Sequence, residues 1–202
     1  MNNILKNIQS EFINQKSKSY FYELASKYLA GKNIVLDVGC GLGNLIKLQP
    51  NNTIGIDKSK YNIDKLLKTI PEAKVEVGDA LNLRFKDKYF DGVHCSHLIE
   101  HFAPIEAYQL LIEMNRVLQI GGIMVISTPL MWDGFYDDLT HIRPYSHSSI
   151  MHYFSNMFHS RTFNNINCEY RVIDIKYRYY AKKIEPIVVT NKFSELNILD
   201  VI

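Results

Sequence analysis

The glycine-rich segment at residues 35–44, Val-Leu-Asp-Val-Gly-Cys-Gly-Leu-Gly-Asn, constrains the fold of this chain more than any other feature of its sequence. A short apolar run ends in an acid, Asp37, and three glycines follow at alternate positions, Gly39, Gly41 and Gly43. Glycine lets the backbone turn tightly and lets a ligand approach it closely. In open α/β sheets, ligands bind beyond the carboxyl ends of the strands. The segment therefore predicts a buried first strand followed by a nucleotide-type binding loop.

The spacing of these glycines differs from that of a dinucleotide site. Such a site has the pattern G-x-G-x-x-G and holds a pyrophosphate at a helix N-terminus, whereas this loop has G-x-G-x-G. The acid at Asp37 would repel a pyrophosphate, but it can accept a hydrogen bond from the ammonium group of an amino-acid-like cofactor. The loop therefore favours a cofactor without phosphates.

Two more acidic residues follow predicted strands farther along the chain. Asp57 comes directly after the apolar residues of 53–56, and Asp79 follows those of 75–77. At the carboxyl end of its strand, the Asp57 carboxylate can accept hydrogen bonds from both hydroxyls of a ribose. Asp79 is suitably placed to accept a hydrogen bond from the amino group of adenine. Together with Asp37, these acids suit a cofactor that joins an amino acid, a ribose and an adenine.

Short apolar runs alternate with helical patterns over most of the chain. The predicted strands are 34–36, 53–56, 75–77, 90–95 and 123–127, and the predicted helices are 60–70 and 104–118. This alternation predicts an α/β fold, with a parallel sheet covered by helices on both faces. Residues 173–179 instead alternate apolar and charged side chains with period two, which predicts an antiparallel strand near the sheet edge.

The chain length predicts one domain. Its 202 residues compare with roughly 150 residues for a typical domain, and no repeat or linker divides them. We expect a single domain over 1–202, with an N-terminal helical extension at 1–31 that includes a helix at 17–30. For 184–202 three roles stay open: an edge strand, a cover over the site, or a surface for a partner.

Charge and cysteine content disfavour several classes of protein. The 23 basic and 21 acidic residues leave a net charge of +2, which provides no broad basic surface for nucleic acid. The three cysteines form neither a C-x-x-C pair nor a disulfide pattern. No apolar run approaches the roughly 20 residues that cross a bilayer, and the N-terminus lacks a signal-peptide pattern. We expect a cytoplasmic protein with no nucleic-acid or membrane partner, and its oligomeric state stays open.

Five motifs, in order, resemble the class I S-adenosylmethionine-dependent methyltransferases, in the branch that usually modifies small molecules. They are VLDVGCGLGN at 35–44, GID ending at Asp57, GDA at 78–80, FDGVHCSHLIEH at 90–101 and RVLQIGG at 116–122. The resemblance covers roughly residues 31–150. It implies a Rossmann-like, doubly wound sheet of about seven strands, mostly parallel with an antiparallel last strand, accompanied by N-terminal helices. The short interval between Gly43 and Thr53 implies an unusually short first helix, and the family's glycine-aromatic pair before the last two strands is missing.

The same resemblance implies the cofactor and its contacts. It assigns S-adenosylmethionine as cofactor and a small molecule as methyl acceptor, with transfer to oxygen or nitrogen. It implies that Asp37, Gly39, Gly41 and Gly43 hold the methionine end of the cofactor. Asp57 would hold the ribose, and Asp79 with Ala80 the adenine. Ser96 and His97 would border the reactive end. The identity of the acceptor is not specified by the sequence.

One histidine-rich segment also matches a metal-binding pattern. Residues 97–101, His-Leu-Ile-Glu-His, have the spacing of the inverted zinc-peptidase motif. That motif lies within a long helix and needs a further ligand, whereas this segment follows a predicted strand and precedes Pro104. The loop after the fifth strand carries four further potential metal ligands, namely Asp133, Asp137, Asp138 and His141. Their order along the chain differs from that of the catechol-type metal site. We therefore expect no metal.

The loop at 132–146 holds the candidate catalytic residues. It contains His-Ile-Arg-Pro-Tyr-Ser and resembles a stretch found after strand five in bacterial members of the branch. Pro144 favours an extended conformation before it, so His141 can turn toward the methyl group as general base, with Arg143 and Tyr145 orienting the acceptor. His101 is the second candidate base. The alternatives are a solvated loop in which Ser146 caps the next helix, and a packing or capping role for His101.

A different class of function rests on residues 171–183. This stretch carries five basic residues and one acid, interleaved with tyrosines on which bases can stack. It suggests an RNA-modifying enzyme or a non-catalytic partner-binding protein as the alternative function. The opposing interpretation is an ordinary strand, with Ile173, Ile175, Tyr177 and Tyr179 on its buried face and the charges in solvent.

Overall fold

The computed structural model describes residues 11–14, 17–154, 163–166, 170–180 and 183–192. Its strands are β1 (Glu11–Asn14), β2 (Val35–Val38), β3 (Thr53–Asp57), β4 (Lys74–Val77), β5 (Phe90–Ser96), β6 (Leu118–Ser127), β7 (Tyr170–Tyr180) and β8 (Lys183–Lys192). Its α-helices are α1 (Ser19–Tyr28), α2 (Asn44–Leu48), α3 (Lys60–Thr69), α4 (Pro104–Val117) and α5 (His147–Met151), and the 3-10 helices are Ile99–His101 and Phe135–Asp137.

The described strands form one eight-stranded sheet in the order β1-β7-β8-β6-β5-β2-β3-β4. The pairs from β4 across to β6 are parallel, and β8 is antiparallel to both of its neighbours, β6 and β7. This is the expected Rossmann-like, doubly wound sheet with an antiparallel last strand. Residues 173–179 belong to β7 and do pair antiparallel near the sheet edge, with β8. The strand that runs against the parallel strands is nevertheless β8 and not β7, because β8 is antiparallel to both β6 and β7.

Helices cover both faces of the sheet. Neighbouring residues in a strand point to opposite faces, so Val35 packs with Phe21 of α1 while Leu36 packs with Met114 of α4. The helices α2 and α3 lie on the α1 side, and Ile150 of α5 joins the cluster beneath α4. The helix α2 has only five residues, as the short interval after Gly43 implied.

Three details differ from the sequence-based expectations. The N-terminal extension is not entirely helical, because residues 11–14 form β1 alongside β7. A strand there satisfies the backbone groups that the edge of β7 would otherwise leave unpaired. Residues 183–192 form β8 inside the sheet rather than an edge strand, and the rest of 184–202 lies outside the described residues.

The third difference is an irregularity in β7. The pairing of β7 with β8 shifts between Val172 and Asp174, and Ile173 is exposed. The prediction that Ile173 shares the buried face of Ile175 is therefore wrong. A β-bulge places an extra residue in one strand and turns its side chain away from the regular alternation, which a period-two pattern does not reveal.

Candidate cofactor and active site

The glycine loop leaves one position open toward solvent. Gly39, Gly41 and Gly43 all have positive φ angles, of 70°, 52° and 72°. A Cβ atom on Gly39 would lie 2.9 Å from Leu98, and one on Gly43 would lie 2.7 Å from Leu66. Nothing lies within 4 Å of a Cβ atom placed on Gly41. Gly39 and Gly43 thus pack against the protein, and Gly41 is where a ligand can approach the backbone.

Asp57 connects this loop to the end of β3. Its Oδ2 accepts a hydrogen bond of 2.8 Å from the Gly41 amide. Its Oδ1 accepts one from the Ser59 amide at 2.8 Å and one from Asn62 Nδ2 at 3.2 Å. A carboxylate offers about four acceptor positions, so these contacts leave acceptor capacity on Oδ2. The carboxylate can therefore hold the loop and still accept a ligand hydroxyl.

Asp37 lies behind the loop, in a contact that the sequence analysis missed. Its Oδ1 is 2.7 Å from Nδ1 of His94, and both side chains are buried. The two residues occupy paired positions on β2 and β5. The only sequence signal was the position of His94 in the middle of a predicted strand, and its pairing with Asp37 depends on the register of β5 against β2. His94 thereby holds the Asp37 carboxylate against the sheet.

The other predicted cofactor residues lie at the same carboxyl edge of the sheet. Asp79 is exposed, and its Oδ1 accepts a hydrogen bond from the Leu81 amide at 2.9 Å, while the adjacent Ala80 is buried. Ser96 Oγ lies 2.7 Å from Ser127 Oγ, which joins the ends of β5 and β6. The backbone amide of His97 donates to the Ser127 carbonyl at 3.0 Å, and His97 has a φ angle of 52°. These residues end or follow β4 and β5, at the same edge of the sheet as the acids of β2 and β3.

The two candidate bases line one open cavity of about 750 Å³, which His97 and Glu100 also line. The rings of His101 and His141 have their centroids 4.9 Å apart. Nδ1 of His141 lies 2.7 Å from the Phe135 carbonyl oxygen. Since a carbonyl only accepts, Nδ1 carries the proton and Nε2 carries the lone pair that a base needs.

Arg143 and Tyr145 are not placed with these histidines. They line a different cavity, of about 250 Å³, next to α4 and α5. The Tyr145 hydroxyl donates to the Phe102 carbonyl at 2.9 Å, and burial raises the pKa of this hydroxyl. The Arg143 guanidinium lies 5.0 Å from the centre of the Tyr145 ring. Ser146 accepts a hydrogen bond from the Ser149 amide at 3.1 Å and so caps α5, as the alternative interpretation predicted.

Glu100, which the sequence analysis considered only as part of the histidine-rich segment 97–101, is a site residue. It is completely buried, and Thr128 Oγ1 donates to its Oε2 at 3.3 Å. Its Oε1 has no hydrogen-bond partner. Its backbone carbonyl accepts from the Ile142 amide at 2.8 Å, which brings the loop of His141 against the segment of His101. Nothing in the local sequence indicated this depth of burial.

Cysteine chemistry does not suit this site. Burial raises the pKa of the Cys40 thiol, and the charges of Asp37 and Asp57 raise it further. Burial also raises the pKa of Cys95. Reactive cysteines need a thiolate, so neither of these thiols suits a nucleophile.

The described part of the basic stretch supports the ordinary-strand interpretation. Lys176 Nζ lies 3.3 Å from Asp174, and the Tyr177 hydroxyl lies 2.9 Å from His147 Nδ1. Both side chains are thus engaged within the protein rather than presented to a nucleic acid. In the part of the chain that the structure describes, no helix has the length and apolar character needed to cross a membrane.

Residues 36–126 match the family described as "Methyltransferase domain". An uncharacterised protein of Methanocaldococcus jannaschii is 33% identical over 114 residues, a match that covers 55% of this chain and 43% of that protein. A ubiquinone biosynthesis O-methyltransferase of Rickettsia prowazekii is 30% identical over 136 residues, covering 61% of this chain and 48% of that protein. The chain thus spans about half the length of these curated relatives.

Solved structures share the fold over most of the chain. The crystal structure of a SAM dependent methyltransferase from Archaeoglobus fulgidus superposes with a TM-score of 0.67 at 20% sequence identity. The superposition covers 86% of this chain and 92% of that one. The described sheet and its helices therefore have the architecture of that protein.

Proposed function

We propose that the chain is a class I S-adenosylmethionine-dependent methyltransferase, and that it transfers a methyl group from S-adenosylmethionine to an oxygen or nitrogen atom of a small molecule. The single observation that carries this proposal is the link between Asp57 and the open glycine loop, through the 2.8 Å hydrogen bond from the Gly41 amide. When bound, S-adenosylmethionine supplies an electrophilic methyl group on its sulfonium.

The residues at the carboxyl edge of the sheet fit this cofactor. Gly41 leaves open space above the loop, and Asp57 retains acceptor capacity for ribose hydroxyls. The buried Asp37 supplies negative charge near the loop, which suits an ammonium group and disfavours phosphates. Asp79 and Ala80, at the end of β4, are the residues we assign to the adenine.

His141 is our candidate for proton removal from the acceptor. Its Nε2 carries the lone pair because Nδ1 donates to Phe135, and it lines the larger cavity. Methyl transfer requires the acceptor to be aligned, shielded from water and, for a hydroxyl or ammonium group, deprotonated. The loop of His141 and the end of β5 provide the walls for such an acceptor.

Calorimetry with S-adenosylhomocysteine tests the proposal. We expect this product to bind and to stabilise the fold by about 2.7 kcal/mol at 100 times its dissociation constant. NAD is the matched control, because it shares the adenosine but adds a pyrophosphate, and we expect no binding. Binding of NAD without binding of S-adenosylhomocysteine would overturn the proposal.

A screen of acceptors grouped by chemistry tests the reaction itself. We expect methylation of a small hydroxylated or amino compound in the presence of S-adenosylmethionine. Short RNA serves as the control for the alternative function. Methylation of RNA with a steep dependence on salt concentration, and of no small molecule, would replace the small-molecule acceptor.

A further inference from the structure

Three side chains in the larger cavity have the geometry of a metal site. One potential ligand atom from each of Glu100, His101 and His141 lies within 4.8 Å of the others. Glu100 and His101 follow β5, and His141 comes from the loop after β6. The inverted zinc-peptidase motif would use His97 instead of His141, and it would lie in a long helix. Here residues 99–101 form a single 3-10 turn.

The hydrogen bonds of His101 and His141 leave the same nitrogen available in both rings. Nδ1 of His101 lies 2.9 Å from Thr140 Oγ1 and 3.2 Å from the Thr140 carbonyl oxygen. The Thr140 hydroxyl donates its proton to Asp138 at 2.6 Å, so it accepts from His101. His141 donates from Nδ1 to the Phe135 carbonyl. In its neutral form each imidazole therefore carries its lone pair on Nε2, and Nε2 of His141 lies 3.9 Å from Asp138 Oδ2.

This arrangement is the one that metal-binding histidines adopt. A ligating imidazole normally donates its second N–H to a carbonyl, a carboxylate or a similar acceptor, which fixes its tautomer and orientation. Asp138, Thr140 and His101 thus form a chain from a carboxylate to an imidazole.

The buried carboxylate of Glu100 supplies the second, independent observation. The residue is fully buried at the cavity wall, and its Oε1 has no hydrogen-bond partner. Nδ1 of His97 lies 3.5 Å from this oxygen, which is ion-pair distance when the imidazole is charged but does not make a hydrogen bond. Burying a carboxylate oxygen without a hydrogen-bond donor is costly. A cation bound at Oε1 removes that cost.

We propose that Glu100, His101 and His141 bind one divalent transition-metal ion, and we take Zn²⁺ as the ion with which to test this site. Two imidazole nitrogens and one carboxylate oxygen are ligands that such ions prefer. Ligand atoms about 2.1 Å from a zinc ion lie roughly 3–4 Å from one another. Side-chain rotations that move these atoms by about 1 Å therefore bring them to zinc-binding distances. Three protein ligands leave a coordination position open toward the cavity.

The open position gives the ion a role in the reaction, a step that rests on the proposed methyltransferase function. A metal ion lowers the pKa of a bound hydroxyl group and fixes its position. With the ion bound, Nε2 of His141 would be a ligand instead of the base. An acceptor oxygen on the ion would lose its proton to solvent and then attack the methyl carbon, and S-adenosylhomocysteine would leave. The metal site itself does not depend on this role.

Metal binding to the purified full chain, without a polyhistidine tag, tests the proposal. After dialysis against a chelator, we expect calorimetry to give one Zn²⁺ per chain, and Co²⁺ to give the visible absorption of a low-symmetry site. We expect His141→Ala and His101→Ala to abolish this stoichiometric binding, and Thr140→Val to weaken it by about 10- to 100-fold. His152→Ala is the control for surface histidines.

Other outcomes overturn the proposal. The proposal is wrong if the wild-type chain does not bind Zn²⁺ or Co²⁺ stoichiometrically. It is also wrong if binding survives the loss of both His101 and His141. Binding lost in His97→Ala but kept in His141→Ala would favour the peptidase-like ligand set instead. Circular dichroism verifies that each variant is folded, and Glu100→Gln is interpreted only alongside the histidine variants.

The proposed metal site and the proposed function can be tested, and contradicted, independently of each other. Zn²⁺ binding is measured without S-adenosylmethionine, and S-adenosylhomocysteine binding is measured in chelator. If the product binds and Zn²⁺ does not, the metal site is wrong and the proposed function stands. If Zn²⁺ binds and the product does not, the proposed function is wrong and the metal site stands.

Discussion

The Asp37 carboxylate and the His94 imidazole lie 2.7 Å apart, on paired positions of β2 and β5 and out of contact with solvent. The contact crosses the sheet directly beneath the glycine loop. A buried hydrogen-bonded pair of this kind fixes the relative position of two strand ends, because each group is costly to leave without its partner. His94 therefore supports the strand that leads into the glycine loop, although it need not contact any ligand.

We expect His94→Leu to lower the free energy of unfolding by about 1–3 kcal/mol, because it leaves the buried Asp37 carboxylate without its partner. Urea unfolding measures this loss. In the double variant with Asp37→Asn, which removes the buried charge, we expect the two costs to be less than additive. Strictly additive costs would mean that the 2.7 Å contact contributes nothing to stability.

We expect Asp57→Ala to weaken S-adenosylhomocysteine binding by about 2–3 kcal/mol, because it removes the ribose acceptor and the anchor of the Gly41 amide. Calorimetry measures the affinity. Asp64→Ala is the matched control, since Asp64 is a more exposed acid of α3 whose partner is Lys60. Equal affinity in the two variants would reduce Asp57 to a structural cap.

We expect Gly41→Ala to abolish cofactor binding while costing the fold no more than Gly121→Ala. Both glycines have positive φ angles, of 52° and 79°, and neither has an atom within 4 Å of a new Cβ. Each substitution therefore costs about 1–2 kcal/mol of backbone strain. Only Gly41 faces the proposed ligand, so equal cofactor affinity in both variants would contradict the assigned loop. Thermal unfolding and calorimetry are measured on each.

We expect His141→Ala to lower turnover by roughly 10²–10⁴-fold, with S-adenosylhomocysteine affinity nearly unchanged. The variant loses the Nε2 lone pair that the hydrogen bond to Phe135 makes available. Steady-state kinetics on the identified acceptor measure the effect, with His152→Ala as the control. Full turnover by His141→Ala would move the catalytic assignment to His101.

We expect the acid sensitivity of the fold to decrease in Glu113→Gln. The Arg116 guanidinium donates hydrogen bonds to Glu113 and lowers the pKa of this carboxyl below its ordinary value of 4.5. The folded pKa is thus the lower one, so the stabilisation is complete above about pH 4.5 and is lost as pH falls through the lowered value. Urea unfolding from pH 3 to pH 7 measures this slope. An unchanged slope in the variant would contradict a role for the pair.

The same pair explains how α4 positions the chain after β4. Arg116 also donates to the carbonyl groups of Leu83 and Phe85, at 2.7 and 2.8 Å, and the Leu83 amide donates to Glu113 at 2.7 Å. The sequence analysis predicted a helix at 104–118, which agrees with α4. Its polar contacts with a segment about 30 residues earlier were not predictable, because they depend on the packing of α4 over the sheet.

Local signals in the sequence determined the order of strands and helices from α1 to β6, the glycine loop and the acids at the carboxyl ends of β2, β3 and β4. These features depend on neighbouring residues: glycine is needed for the positive φ angle at Gly41, and Pro104 suits the first turn of α4. The tertiary structure alone decided three other features. These are the register of β5 against β2, the bulge at Ile173 and the proximity of the Glu100 and His141 side chains. Such contacts arise when distant segments compete to bury apolar surface and pair their backbone groups, and that competition leaves no periodic trace in the sequence of either segment.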